Sequence, residues 1–179
     1  MISETWLYEG RCHKFGDDVR HDGYLMTQQY VTDKVFDPEV LKSHVLEEDR
    51  PDFRTSVEPG DIVLAGRNFG KGKAHVQGYI ALRSLGVGVV CESMPYLSFR
   101  GAISVGLMFM ANSAGVSDLA ADGDRLRVNF DTGRFENLTS GLVRDYPPLP
   151  EELRKIVAKG GATEMLRQWW TEERARAVA

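Results

Sequence analysis

The sequence predicts an α/β fold: βαβ units with a mostly parallel central sheet, an additional β-hairpin and C-terminal helices. Three observations carry this. The apolar runs Ile62–Ala65, Val87–Cys91 and Leu107–Met110 are short and continuous, as strands covered on both faces are. Stretches with helical spacing separate them, and strand, helix, strand, helix, strand implies right-handed parallel crossovers. From Leu126 onward, apolar and polar residues alternate up to Asp131-Thr132-Gly133, after which Phe135 to Leu138 return, as in a half-buried hairpin.

The elements follow in order. Trp6 to Phe15 reads as a first strand, stopped by Gly16-Asp17-Asp18. Arg20 to Tyr30 has little period and reads as a loop with a short helix. Asp37-Pro38 opens a helix, with Asp as N-cap and Pro at the first helical position. Val40, Leu41 and Val45 would face inward, and Arg50-Pro51-Asp52-Phe53 would break that helix. Val57-Glu58-Pro59-Gly60 is a turn before the Ile62 strand. Val76, Tyr79, Ile80 and Leu82 recur at helical spacing, and Gly86 caps the helix. Pro95 opens another helix through Leu97, Ala102 and Ile103, ending near Gly106. Pro147-Pro148-Leu149-Pro150 closes this unit. A helix carrying Leu153, Ile156 and Val157 stops at Gly160-Gly161. A last helix begins near Thr163 and carries Met165, Leu166, Trp169 and Trp170, which would pack on the domain or on a partner. The charged end, Glu172 to Arg176, would fray or lie in solvent. The expected organisation is one domain over 1–179, with a core to 146 and a helical extension over 147–179.

The 179 residues suit one compact domain, and 42% hydrophobic with 27% charged residues is an ordinary globular composition. A net charge of −4 argues against a general nucleic-acid binder. Cys12 and Cys91 make neither a disulfide framework nor a Cys-x-x-Cys site. The four histidines show no His-x-x-x-His spacing, so no metal site is expected. The opening Met1-Ile-Ser-Glu-Thr-Trp6 lacks the pattern of a signal peptide, and no run approaches the length of a membrane span. A cytoplasmic protein is the expectation, with neither nucleic acid nor membrane as a partner.

The most informative stretch runs from Asp61 to His75. The apolar run stops at Gly66, and Gly66, Gly70 and Gly72 fall in seven positions with Arg67, Lys71 and Lys73 between them. Glycine permits tight turns and close approach of backbone to ligand. Free amides at a helix start, strengthened by nearby cations, favour a carboxylate or a phosphate. The loop is not a P-loop, because Gly-x-x-x-x-Gly-Lys-Ser/Thr is absent.

These residues resemble the small subunit of 3-isopropylmalate dehydratase, the swivel domain of the aconitase superfamily. The likeness is carried by Glu9-Gly10-Arg11, Lys14 to Val19, Asp37-Pro38-Glu39, Arg50 to Phe53, Pro59-Gly60-Asp61-Ile62, Gly66-Arg67-Asn68-Phe69-Gly70-x-Gly72, Asn137-Leu138-Thr139-x-Gly141 and Gly160-Gly161. It implies a heteromeric hydro-lyase of leucine-biosynthesis type. A large subunit would carry a 4Fe–4S cluster, and this chain, holding no cofactor itself, would close over a hydroxylated di- or tricarboxylate. In the family a loop serine removes the carbon-bound proton and an arginine holds a carboxylate.

Where the family continues Gly-Ser-Ser-Arg-Glu-His, this chain reads Gly72-Lys73-Ala74-His75-Val76-Gln77. Lys73 thus stands in the base position. It is a general base if burial and neighbouring cations lower its pKa, a carboxylate contact if it stays charged, or a solvated loop lysine. The substrate-binding candidates are Arg67, Asn68, Gly70, Lys71, Gly72, Ala74 and His75. Asn68 either bonds across the loop or touches substrate. His75 replaces the arginine as carboxylate or proton partner, or is a helix-start residue without a ligand. A second segment offers Asp22, which pairs with a loop cation, meets the partner or serves a turn, and Gln28 at the family's arginine position. His21 has no supporting pattern. A non-catalytic, anion-binding relative that kept the fold is the alternative function.

Overall fold

The computed structural model describes residues 6–178, except the side chains of 175, 177 and 178. The opening residues read above for a leader lie outside this range up to residue 5. Strands β1 (Leu7–Lys14), β2 (Ile62–Ala65), β3 (Gly88–Cys91) and β4 (Phe109–Met110) are joined by parallel pairing. Strands β5 (Arg125–Asn129), β6 (Arg134–Asn137) and β7 (Val143–Asp145) continue the sheet by antiparallel pairing. The order across the seven strands is β4-β3-β2-β1-β5-β6-β7.

The helices are α1 (Gln28–Thr32), α2 (Pro38–Lys42), α3 (Phe53–Ser56), α4 (Gln77–Ser84), α5 (Tyr96–Ser104), α6 (Glu151–Ala158) and α7 (Ala162–Val178). α4 and α5 are the crossovers β2–α4–β3 and β3–α5–β4 that the spacing predicted. α2 packs on α4, while α5 meets α6 and α7. Every residue of β2 and β3 is buried, whereas β5 buries only alternate positions. Asp37 caps α2 by accepting the Glu39 N–H at 2.9 Å.

The seam of the sheet is β1, which uses different halves for its two neighbours. Leu7 to Arg11 pair with β5, and Cys12 to Lys14 pair with β2. Asp61 fills the gap this leaves. Its buried carboxylate accepts the Arg11 N–H at 2.7 Å and the Glu58 N–H at 2.9 Å, and lies 2.9 Å from His13 Nε2. A Cβ on Gly10 would collide with this carboxylate, so glycine is required there.

Several expectations are corrected. The sheet is half antiparallel because β7 extends the hairpin; its three residues are all exposed, so no alternation betrays an edge strand. The helix begun at Pro38 ends at Lys42, well before Pro51, and Phe53 starts a helix of its own. Val40 is exposed, although Leu41 and Val45 are buried. The charged end of the last helix lies in solvent, as one of its two readings had it, and stays helical. Trp169 and Trp170 do not pack on the domain, being 53% and 58% exposed. Among the described residues no helix is long and apolar enough to cross a membrane.

Candidate active site

In open α/β sheets ligands bind beyond the carboxyl ends of the parallel strands. Three loops meet there: Phe15 to Asp18 after β1, Gly66 to Val76 after β2, and Glu92 to Pro95 after β3. Backbone bonds tie them together. Gly66 N–H donates to the Gly16 carbonyl (3.2 Å), Asp18 N–H to that of Arg67 (2.7 Å), and Phe69 N–H to that of Ser93 (3.0 Å).

Side chains then fix the glycine loop. Arg67 forks onto Asp17 Oδ2 through Nε (3.0 Å) and Nη2 (2.7 Å), while its N–H donates to Asp17 Oδ1 (2.7 Å). Asn68 Nδ2 and Lys71 Nζ donate to Asp18 Oδ1 at 2.9 and 3.2 Å. Asn68 N–H also bonds Ser93 Oγ at 3.0 Å. The Arg67 amide and guanidinium hold the Asp17 carboxyl below its usual range, and the Asn68 amide and then Lys71 do the same for Asp18. Asn68 therefore shapes the loop, as one of its two readings had it.

Gly70 sits at φ +80°, and a Cβ there would fall on the Tyr79 hydroxyl, so the turn admits glycine alone. The neighbouring Gly72, at φ +134°, faces open space. Of the three loop cations, Lys73 alone has no ion-pair partner among the described residues, and it is exposed. The amides of Gly72, Lys73 and Ala74 also have no acceptor within the described chain. Unclaimed donors thus lie on the loop. At the start of α4 the Val76 N–H is taken by Gln77 Oε1 (3.1 Å) and the Gly78 N–H by His21 Nε2 (3.1 Å), while the N–H groups of Gln77 and Tyr79 have no acceptor among the described residues, so the expected free amides are there in part.

His21 is the residue that the sequence pattern left without a role. It is buried, and its Nδ1 lies 2.8 Å from Asp22 Oδ1. Asp22 also meets His75, whose Nδ1 is 2.8 Å from both carboxylate oxygens. Burial alone would raise the Asp22 carboxyl, but hydrogen bonds from His21 and His75 outweigh it and hold it below its ordinary value. Burial pushes the His21 imidazole down.

The ligand atoms of His21, Asp22 and His75 lie within 4.8 Å of one another, close enough to suggest a cation. The Gly78 N–H argues otherwise, because it occupies the single lone pair of a neutral His21 ring. The cluster is held by protons. Gln28 stands apart: its amide donates to Thr32 Oγ1 within α1 (3.3 Å). Cys12 and Cys91 are buried on β1 and β3, and burial pushes both thiols up to about 12. A separate cavity of about 700 Å³ lies at the opposite strand ends, lined by Trp6, Gly60, Gly86 and Gly106, and shares no residue with the loop.

The depressed His21 and Asp22 values predict a pH dependence of stability. Below the unfolded imidazole value of 6.5 the unfolded chain takes up a proton that folded His21 resists. Below the unfolded carboxyl value of 3.8 the same holds for Asp22. Stability should therefore be full above pH 6.5 and fall on acidification, by at most about 1.4 kcal/mol per pH unit for each group. Urea unfolding midpoints at pH 7.5 and 5.5 measure this, and His21→Gln should flatten the decline.

The fold and its mouth define an α/β domain that presents a glycine-rich loop, braced by acid–base pairs, at one end of its parallel strands. No protein-family model matches the chain. The isopropylmalate/citramalate isomerase small subunit of Methanocaldococcus jannaschii is 36% identical over 167 residues, 93% of this chain and 97% of that protein. The 3-isopropylmalate dehydratase small subunit 1 of Archaeoglobus fulgidus is 37% identical, over 88% of this chain and 96% of that one. The crystal structure of 3-isopropylmalate dehydratase from M. jannaschii superposes with a TM-score of 0.82 at 29% identity, covering 95% of this chain and 99% of that one. This chain belongs to the 3-isopropylmalate dehydratase small-subunit family.

Asp17, Asp18, His21 and Ser93 brace the loop and the start of α4 and were not among the candidates. The available signal was the pair of acids closing the first strand, which reads simply as a strand end until its spatial neighbour is known.

Proposed function

We propose that this chain is the closing subunit of a heteromeric hydro-lyase. It would cover a hydroxylated di- or tricarboxylate of the isopropylmalate or citramalate kind, held by a large subunit, while the elements of water are removed or added. Residues 1–179 would act as one domain, in the cytoplasm. Family membership supports the reaction class. The observation that carries the site is Lys73, the loop cation without an ion-pair partner among the described residues, beside three amides that have no acceptor there.

In this reading Lys73 and the amides of Gly72, Lys73 and Ala74 hold a substrate carboxylate, while Asp17 and Asp18 keep the loop in shape. A lysine that acts as a base must be stripped of water, and the exposure of Lys73 favours the anion contact instead. A 4Fe–4S cluster, expected on the large subunit, would supply Lewis-acid polarisation of the departing hydroxyl.

Reconstitution tests this. Co-expressed with a cluster-bearing large subunit, the chain should co-purify with it and support hydration of unsaturated di- or tricarboxylates, followed by loss of alkene absorbance. Absence of both association and hydration, with anion binding by the chain alone, would instead favour the non-catalytic relative.

A further inference from the structure

We propose that His75 Nε2 takes the carbon-bound proton of the substrate, with Asp22 and His21 as positioning residues. The proposal rests on the hydro-lyase reading above.

The argument follows the protons. Gly78 N–H donates to His21 Nε2 at 3.1 Å, so the proton of that ring sits on Nδ1. Nδ1–H then donates to Asp22 Oδ1 at 2.8 Å. Asp22, kept ionised by its two histidine neighbours, has no proton to give. His75 Nδ1, 2.8 Å from both Asp22 oxygens, must therefore be the donor. A ring with its proton fixed on Nδ1 presents its lone pair at Nε2.

Burial separates the two rings. The His21 side chain is 1% exposed and serves as a brace between Asp22 and the start of α4. The His75 side chain is 33% exposed, and no described group bonds its Nε2. His75 N–H donates to the Lys73 carbonyl at 2.8 Å, which puts the ring and the unpaired ammonium on one tight turn. A carboxylate on Lys73 thus lies beside a base on the same loop. The family resemblance expects a serine base at position 73; here the base sits two residues further on.

The step balances. Nε2 takes the proton, and the C–H electron pair becomes the π bond. The hydroxyl on the adjacent carbon leaves with its bonding electrons as hydroxide and takes one proton from solvent to become water, while Nε2 gives its proton back to solvent, so that one water is lost in all; an electrophile on the large subunit would ease that departure. Asp22 offsets the imidazolium charge. In the hydration direction the proton returns from Nε2 to carbon.

Two measurements test this. In the isolated chain labelled with 15N at histidine, His75 should show a protonated Nδ1 and an unprotonated Nε2, and Asp22→Asn should redistribute that proton. A ring protonated at both nitrogens, or at Nε2 alone, overturns the proposal. In the reconstituted complex, His75→Gln should lower kcat by about 10²–10⁴-fold. KM should change less than about threefold, and exchange of the substrate C–H with deuterated solvent should cease. A raised KM with kcat and exchange intact would make His75 a carboxylate contact and overturn the proposal. Should His75→Gln not assemble, His75→Ala is tested for rescue of exchange by added imidazole; rescue supports the base and its absence in an assembled complex refutes it. If the wild-type complex itself turns over no substrate, the hydro-lyase reading falls first, and the two failures are distinct.

Discussion

Replacing Lys73 by alanine should lower kcat/KM of the reconstituted complex by about 10²–10³-fold, the loss typical of one anion-binding donor in a water-excluded site. The size follows from the pairing around it. Arg67 is forked onto Asp17 and Lys71 is paired with Asp18, so each must give up its ion pair before it turns to the substrate. Lys73 has no such partner among the described residues, and its removal leaves only neutral amides facing a carboxylate. Steady-state kinetics on Lys73→Ala and Lys73→Arg check this. The arginine variant keeps the charge and should recover part of the loss. A Lys73→Ala complex with unchanged kcat/KM would show that the carboxylate lies elsewhere.

Asp61→Ala should destabilise the chain by about 3–5 kcal/mol, the cost of removing one partner from a buried charged network. Two backbone N–H groups, Arg11 and Glu58, would lose their acceptor, and His13 would lose the neighbour of its Nε2. Asp61 and His13 are both buried. Against a typical total of about 5–15 kcal/mol the loss is large. Asp61→Asn retains a carbonyl acceptor and should cost less. Urea unfolding of the three proteins, compared at one pH, measures the difference; equal midpoints would show that β1 and β2 hold together without this carboxylate.

The parallel half of the fold was legible because β2 and β3 are buried throughout and must be apolar at every position. The hairpin was legible because β5 is half-buried and alternates. β7 was not, since an exposed edge strand of Val143, Arg144 and Asp145 obeys neither rule. At the site, local rules found the glycine loop and its cations, but not which cations are neutralised. That depends on Asp17 and Asp18, about fifty residues earlier in the chain, and only the pairing of β1 with β2 brings them near. The same limit hid His21. Its partner Gly78 is separated from it by 57 positions, and nothing in the composition near Arg20 hints at a brace. Gly10 likewise looks like an ordinary strand interruption until the Asp61 carboxylate is seen to occupy the space of its missing side chain.

The latching of Arg67 and Lys71 by two acids has a consequence for selectivity. A mouth with three loose cations would act as a sink for any polyanion in the cell, nucleotides and sugar bisphosphates included, since attraction grows with opposing charge. With two of the three paired in place, one loop ammonium stands without an ion-pair partner among the described residues. On the proposed function such a gate would grip a single carboxylate and give a triphosphate little reason to linger, so crowded metabolite pools would be screened by restraint in charge instead of by a steric wall.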